Sequence, residues 1–278
     1  SMDRATLDDV HDFISKTFYA HQFTPLGAML TVKGVLKFLE REGFIVVEGS
    51  VLRATKLGHR VSELYVDPLS AVILLRYLRR LKKEAILKYL HLICKVPELP
   101  KLHVKRGERE KLASLILESD EFLQDEDEDL VTVMSEAKTA LLLYDWINET
   151  PENDVVLRYD VGPGDIYALT QVAEWICHAA SEIAKVMGFA VHAQKLGVLV
   201  PRIRWGVREE LLELLQLEGI GRVRARILYR HGYKGLKDVA EAEPAELMKL
   251  PKIGPKVAQK IIDQAKRIIE RGNGAGGI

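Results

Sequence analysis

The sequence predicts a mainly α-helical chain with one small β-hairpin near its start and a repeated pair of helical hairpins near its end. Three observations predict it. Apolar residues recur at helical spacing through most segments. Phe44-Ile45-Val46-Val47 and Val51-Leu52-Arg53-Ala54-Thr55 flank Glu48-Gly49-Ser50 and read as strand, tight turn, strand. One supersecondary pattern occurs twice, at Leu217-Glu218-Gly219-Ile220-Gly221-Arg222-Val223-Arg224-Ala225 and at Leu250-Pro251-Lys252-Ile253-Gly254-Pro255-Lys256-Val257-Ala258, with Gly221 and Gly254 33 residues apart.

Each copy reads as a helix end, an apolar-Gly step, and a new helix with Ala four residues past the Gly. Gly takes positive φ freely and leaves the backbone uncovered. The next helix then starts with bare N–H groups and a positive dipole end, which together hold a phosphate. Basic residues flank both turns: Arg222, Arg224 and Arg226 in the first, Lys252, Lys256 and Lys260 in the second. The pattern resembles the tandem helix-hairpin-helix fold of DNA repair proteins, which grips the nucleic-acid backbone without reading sequence. The first copy, with Gly219 and Gly221, matches fully. The second has Gly254 but carries Lys252 where the pattern has Gly. The plainer alternative is two hairpins packed for shape alone.

At 278 residues the chain holds two domains or three small ones. Its formal net charge of zero conceals a split: from Arg202 to Arg271 there are 16 Lys and Arg against 10 Asp and Glu, so this end is near +6 and the remainder near −6. Such asymmetry points to a nucleic-acid-binding end. Cys94 and Cys177 sit in no CxxC, and His91 and His178 beside them are too few for a structural zinc site; they read as reduced core thiols. No apolar run is long enough to span a membrane, and no signal peptide is visible. Ser1-Met2 reads as a cleavage scar ahead of an internal start, and Gly272-Asn273-Gly274-Ala275-Gly276-Gly277 as a flexible tail.

In chain order, helices are expected over Leu7 to Tyr19 and Leu30 to Arg41, the second ended by Gly43. Followed by the hairpin, they form a winged-helix module. Its helix carries Lys33, Lys37 and Arg41 but also Glu40 and Glu42, so packing against a neighbour and DNA contact both stay open. Asp67-Pro68 starts a helix over Ser70 to Lys82, with Arg76, Arg79 and Arg80 on one face. Ala85 to Cys94, Glu108 to Ser119 and Ala137 to Asn148 are further helices. Asp125-Glu126-Asp127-Glu128-Asp129 lacks the spacing and Gly of a calcium loop and reads as a solvated loop. Glu149 to Asn153 is a polar turn, and Val161 to Asp165 a loop with Asp165 as N-cap of a helix running to about Met187.

That long helix buries Ile166, Leu169, Val172, Ala173, Ile176, Ala180, Ile183 and Met187. Its opposite strip runs Ala168, Gln171, Trp175, His178, Glu182. A tryptophan in a polar strip either packs against another domain or stacks on a nucleic-acid base, a contact that tolerates any sequence. Gln171 and His178 are placed to hydrogen-bond nearby.

Three stretches then carry a wider resemblance: Ala54-Thr55-Lys56-Leu57-Gly58-His59-Arg60-Val61 through Asp67-Pro68; Asp145-Trp146-Ile147-Asn148-Glu149 with Gly164-Asp165 and Ala173-Glu174-Trp175; and Trp205-Gly206-Val207 through the hairpins. Together they resemble the C-terminal half of archaeal superfamily-2 DNA repair helicases of the Hjm family, related to human helicase Q. The resemblance implies a winged helix (1–66), a helical ratchet bundle (67–200), a helix-hairpin-helix domain (201–271) and a tail (272–278). It implies a tryptophan, here Trp175, stacked on one base of the tracking strand. The family's second stacking residue, an Arg two turns earlier, falls on Ala168 with Tyr167 beside it; either Tyr167 substitutes, or this chain has one stacking contact fewer. The basic linker Arg202-Ile203-Arg204-Trp205 is expected to touch the DNA backbone.

No GxxxxGK followed by Ser or Thr is present, and no Ser-His-Asp or Cys-His arrangement. The chain alone is therefore not expected to be an enzyme or to hold a cofactor. By the resemblance, ATP and Mg belong to motor domains of a parent 3′ to 5′ helicase. The expected partners are single-stranded or forked DNA, those motors in cis, and repair or replication factors, for a monomer in the cytoplasm at the nucleoid. Two other readings stand beside it: a protein-interaction scaffold and an RNA-helicase accessory module.

Overall fold

The computed structural model describes residues 4–22, 25–82 and 84–274. Ser1-Met2 and the last four residues of the expected tail lie outside this range. The chain divides into two compact units, each made of two stretches: Ser1–Ala137 with Trp175–Gly197, and Lys138–Glu174 with Val198–Ile278.

The first unit opens with β1 (Ala5–Thr6), α1 (Leu7–Ser15), α2 (Phe18–Gln22), α3 (Pro25–Arg41), β2 (Ile45–Glu48), β3 (Val51–Ala54) and α4 (Lys56–Glu63). The hairpin is present, pairing Ile45 with Ala54 and Glu48 with Val51, and a third antiparallel strand joins it in the order β1-β3-β2. Two residues are too short a run for periodicity to reveal. Thr6 ends that strand by capping α1: the Asp9 amide donates to its Oγ1 at 3.1 Å, and the Thr6 amide donates back to the Asp9 carboxylate at 2.7 Å. Thr55 caps α4 through the Gly58 amide at 3.1 Å. Gly58 itself is required, because a Cβ there would stand 2.0 Å from the Phe44 carbonyl oxygen.

α5 (Pro68–Arg80), α6 (Ile86–Cys94) and α7 (Arg109–Glu118) follow, with Leu74, Leu78, Leu90 and Ile93 buried. Cys94 and Cys177 are buried thiols, and Cys177 Sγ donates to the Leu196 carbonyl at 3.4 Å. The acidic run is a loop with Glu126, Asp127 and Asp129 exposed, as charge predicts, but Asp125 and Glu128 are half-buried and paired. Asp125 accepts from Arg80 at 2.7 Å, Arg76 at 3.3 Å and the Tyr77 hydroxyl at 3.2 Å. Glu128 accepts at 2.6 Å from Lys95, a buried lysine that also pairs with Glu136 at 2.8 Å. A lysine carried into a core needs such partners, and the run supplies one of them.

α8 (Leu130–Ile147), α10 (Pro163–Val186) and α11 (Ala190–Trp205) each contribute residues to both units, while α9 (Glu152–Tyr159) belongs to the second. α10 begins two residues before the expected cap, with Pro163 as its first residue; Asp165 lies inside its first turn and accepts from the Gly162 amide at 2.8 Å. α9 takes over part of the expected polar turn, and the expected basic linker is the last turn of α11.

The second unit ends with α12 (Arg222–Arg230), α13 (Leu236–Ala240), α14 (Pro244–Leu247) and α15 (Pro255–Gly274), packed on Val207, Leu211, Leu214, Leu228, Val239 and Ile261. α15 runs three residues into the stretch expected to be flexible tail.

Candidate nucleic-acid interface

The repeated pattern folds twice into the same turn. Gly219 has φ 82° and Lys252, at the equivalent place, has φ 63°. Ile220 and Ile253 follow, both buried, with their amides donating to Leu217 and Leu250 carbonyls at 3.0 and 3.3 Å. Ala225 and Ala258, wholly buried, donate to the carbonyls of Gly221 and Gly254 at 2.9 Å in both copies. The Lys-for-Gly departure therefore leaves the turn intact, although a left-handed non-glycine residue costs about 1–2 kcal/mol. Gly221 and Gly254 face open space where a Cβ would stand, and the start of α12 has no side-chain cap. Both glycines thus leave the turn backbone uncovered to an approaching anion, although α15 starts at Pro255, which offers no N–H of its own.

The flanking cations are disposed differently. Arg222 is half-buried, with its guanidinium 4.6 Å over the Trp146 ring and donating to the Thr150 carbonyl at 2.6 Å. Burial lowers its basicity against the pull of Glu149 and Glu152. Arg226 donates through Nε to Glu149 at 2.6 Å and through Nη2 to Glu149 and to Glu210, the latter at 2.9 Å. Arg224 donates to the Gly219 carbonyl at 2.7 Å and the Lys252 carbonyl at 2.9 Å, so one side chain ties the two turns together. In the second copy Lys252 and Lys256 are exposed, and Lys260 pairs with Glu218 at 3.0 Å on the surface.

Glu149 holds this arrangement. It is a non-glycine residue at φ 67°, and it also accepts from the Arg208 amide at 3.0 Å. Burial pushes its carboxyl up, but the Arg226 and Arg208 hydrogen bonds outweigh that and hold it below its ordinary value. Beside it Trp146 donates to the Ile203 carbonyl at 2.8 Å, and Gly206 (φ 62°) lies where a Cβ would meet the indole at 2.5 Å. Asn148, Glu149, Arg208, Arg222, Arg226 and Arg230 line a cavity of about 370 Å³. Glu149 and Trp146 enter the sequence reading only within the stretch Asp145 to Glu149 that carries the resemblance; no local signal links them to α12, which begins 73 residues past Glu149.

Arg202 is not at the surface as expected: it is 4 % exposed, its basicity is lowered by burial, and its Nε donates to the Val207 carbonyl at 3.3 Å. Arg204 is exposed and pairs with Glu174 at 2.5 Å. Tyr167 and Gln171, in the second unit, are exposed. In the first unit His178 is exposed and Trp175 is half-buried, its indole N–H donating to the Leu64 carbonyl at 2.9 Å. One edge of Trp175 is thus fixed by the end of α4, within the same unit. Glu182, one turn past His178, is taken by Lys185 and Arg60, which hold its carboxyl down at about 2.

Residues 87–206 match the family model for domain 4 of archaeal helicases, and residues 211–267 match that for the SAM-like tandem helix-hairpin-helix. The class is therefore an accessory region of an archaeal helicase joined to a helix-hairpin-helix pair. More particularly, the chain is homologous over nearly its whole length to the C-terminal region of the archaeal Hel308 helicases. It is 37% identical over 288 residues to the ATP-dependent DNA helicase Hel308 of Caldivirga maquilingensis and 37% over 278 residues to that of Pyrobaculum calidifontis, covering 96% of this chain in each case. The Hel308 of Methanocaldococcus jannaschii is 39% identical over 263 residues, 92% of this chain. The chain spans 38% of the length of the first two relatives and 20% of the third. Among the described residues no helix is long and apolar enough to cross a membrane.

Proposed function

We propose that this chain is the DNA-gripping accessory region of an ATP-dependent 3′ to 5′ DNA repair helicase. The observation that carries the reading is the pair of equivalent turns, each with bare backbone at a helix start, the second flanked by the exposed Lys252 and Lys256. Such turns bind phosphates without regard to sequence, which suits a protein that moves along a strand. Trp175 stacks on one base while motors elsewhere in the parent step, so the strand advances one way. The modules divide at 1–66, 67–200 and 201–271. This chain holds no cofactor of its own; ATP and Mg bind the motors, its partners in cis.

Fluorescence anisotropy with labelled single-stranded DNA, single-stranded RNA and a fork, each titrated with salt, tests this. The expected result is binding to DNA that weakens steeply as salt rises, with RNA weaker. Equal binding of RNA favours an RNA-helicase module. No binding to any of the three at low salt contradicts the reading and favours a protein scaffold, which a pull-down surviving nuclease treatment then identifies.

A further inference from the structure

Tyr65 has no part in the site described above. It follows the last turn of α4, flanked by Leu64 and Val66, both buried, yet its own side chain is 88 % exposed. Its φ is 56°, the left-handed region. At the end of a helix that conformation is ordinarily taken by glycine, which adopts it without strain. Here the chain accepts a strained residue and sets a bare aromatic ring in water. Strain of this kind is retained where the side chain is needed in that position.

The neighbouring contact gives the ring a purpose. Leu64, the residue before Tyr65, accepts the Trp175 indole N–H on its carbonyl at 2.9 Å. The backbone that presents Tyr65 and the edge of Trp175 are thus joined by one hydrogen bond inside the first unit. The geometry points to Tyr65 as a second nucleobase-stacking residue beside Trp175, forming a two-ring platform for unpaired bases. This rests on the reading of Trp175 as a stacking residue. It places the second aromatic on the end of α4 rather than at Tyr167, and it needs no sequence preference, since every base offers a π-face.

The test sets stability against binding. Tyr65→Gly removes both the ring and the backbone strain. The expected result is a protein that melts at a higher temperature than wild type yet binds a labelled single-stranded oligothymidylate about tenfold more weakly. Tyr65→Phe retains the ring and is expected to bind as wild type. A 2-aminopurine within the strand is quenched on binding to wild type and to Tyr65→Phe, and less so on Tyr65→Gly. Wild-type affinity and quenching in Tyr65→Gly, with Trp175→Ala weakened, overturn the inference alone. Equal losses by Tyr65→Gly on single-stranded and duplex DNA overturn it also. Wild-type protein that binds no oligothymidylate removes the Trp175 reading and this inference together.

Discussion

Ile220 and Ile253 occupy the same place in two turns 33 residues apart, buried alike and hydrogen-bonded alike, but the cations around them lead different lives. In the first copy Arg222 lies on Trp146, Arg226 is held by Glu149 and Glu210, and Arg224 clamps both turns. In the second copy Lys252 and Lys256 stand in solvent. The copy that fits the motif best spends its charges on the fold. The copy that departs from it keeps Lys252 and Lys256 exposed and pairs Lys260 with Glu218. A guanidinium, planar and with five donors, suits the first task, and a hydrated ammonium on a flexible stem suits the second. Motif quality therefore reports the turn and not the availability of its cations.

The sharpest way to break this comparison is Arg226→Ala. It leaves Glu149 without its main partner, and denaturant unfolding is expected to show a loss of about 2–4 kcal/mol. Lys252→Gln with Lys256→Gln is expected to change stability by less than about 0.5 kcal/mol. On single-stranded DNA the order reverses: the double lysine variant is expected to bind about tenfold more weakly, with the slope of log affinity against log salt reduced by about 1.4, the value for two lost phosphate contacts.

A smaller effect tests the equivalence of the turns. Gly219→Ala places a Cβ at φ 82° and is expected to destabilise by about 1 kcal/mol, while Lys252→Gly relieves the same strain and stabilises by up to a similar amount. Two losses, or two gains, would mean that the turns are not alike. The smallest effect is in pH. Because the folded Glu149 carboxyl lies below its ordinary 4.5, its contribution is fully present above that value and is lost as pH falls through the folded one. The stability gap between wild type and Arg226→Ala is therefore expected to be constant at neutral pH and to close in acid.

Much of the fold was legible because it rests on short-range rules. The helices, the β-hairpin and both turns follow from apolar period, Gly placement and caps. What was not legible depends on partners distant in sequence. β1 is only two residues and exists through its pairing with β3. Asp125 and Glu128 look solvated until Arg80 and Lys95 are brought to them. The first two residues of α9 lie in the stretch that reads as a polar turn, and the last turn of α11 in the one that reads as a basic linker. Of the candidate site, the backbone was predicted well and the side chains less so. Arg202 and Arg222 carry the charge a phosphate needs, but only the packing of Val207 and Trp146 shows that they face inward. Trp175 was recognised as unusual, and its bond to Leu64 could not be read from a spacing of 111 residues.

The central claim, that the first hairpin builds and the second grips, is tested most directly by the salt dependence of single-stranded DNA binding in two variants that each remove charge. One carries Lys252→Gln with Lys256→Gln, and the other Arg222→Gln. The account predicts a shallower slope for the lysine variant and an unchanged slope for Arg222→Gln, whose site faces Trp146 and Thr150. An unchanged slope in the lysine variant, with a shallower one in Arg222→Gln, contradicts it.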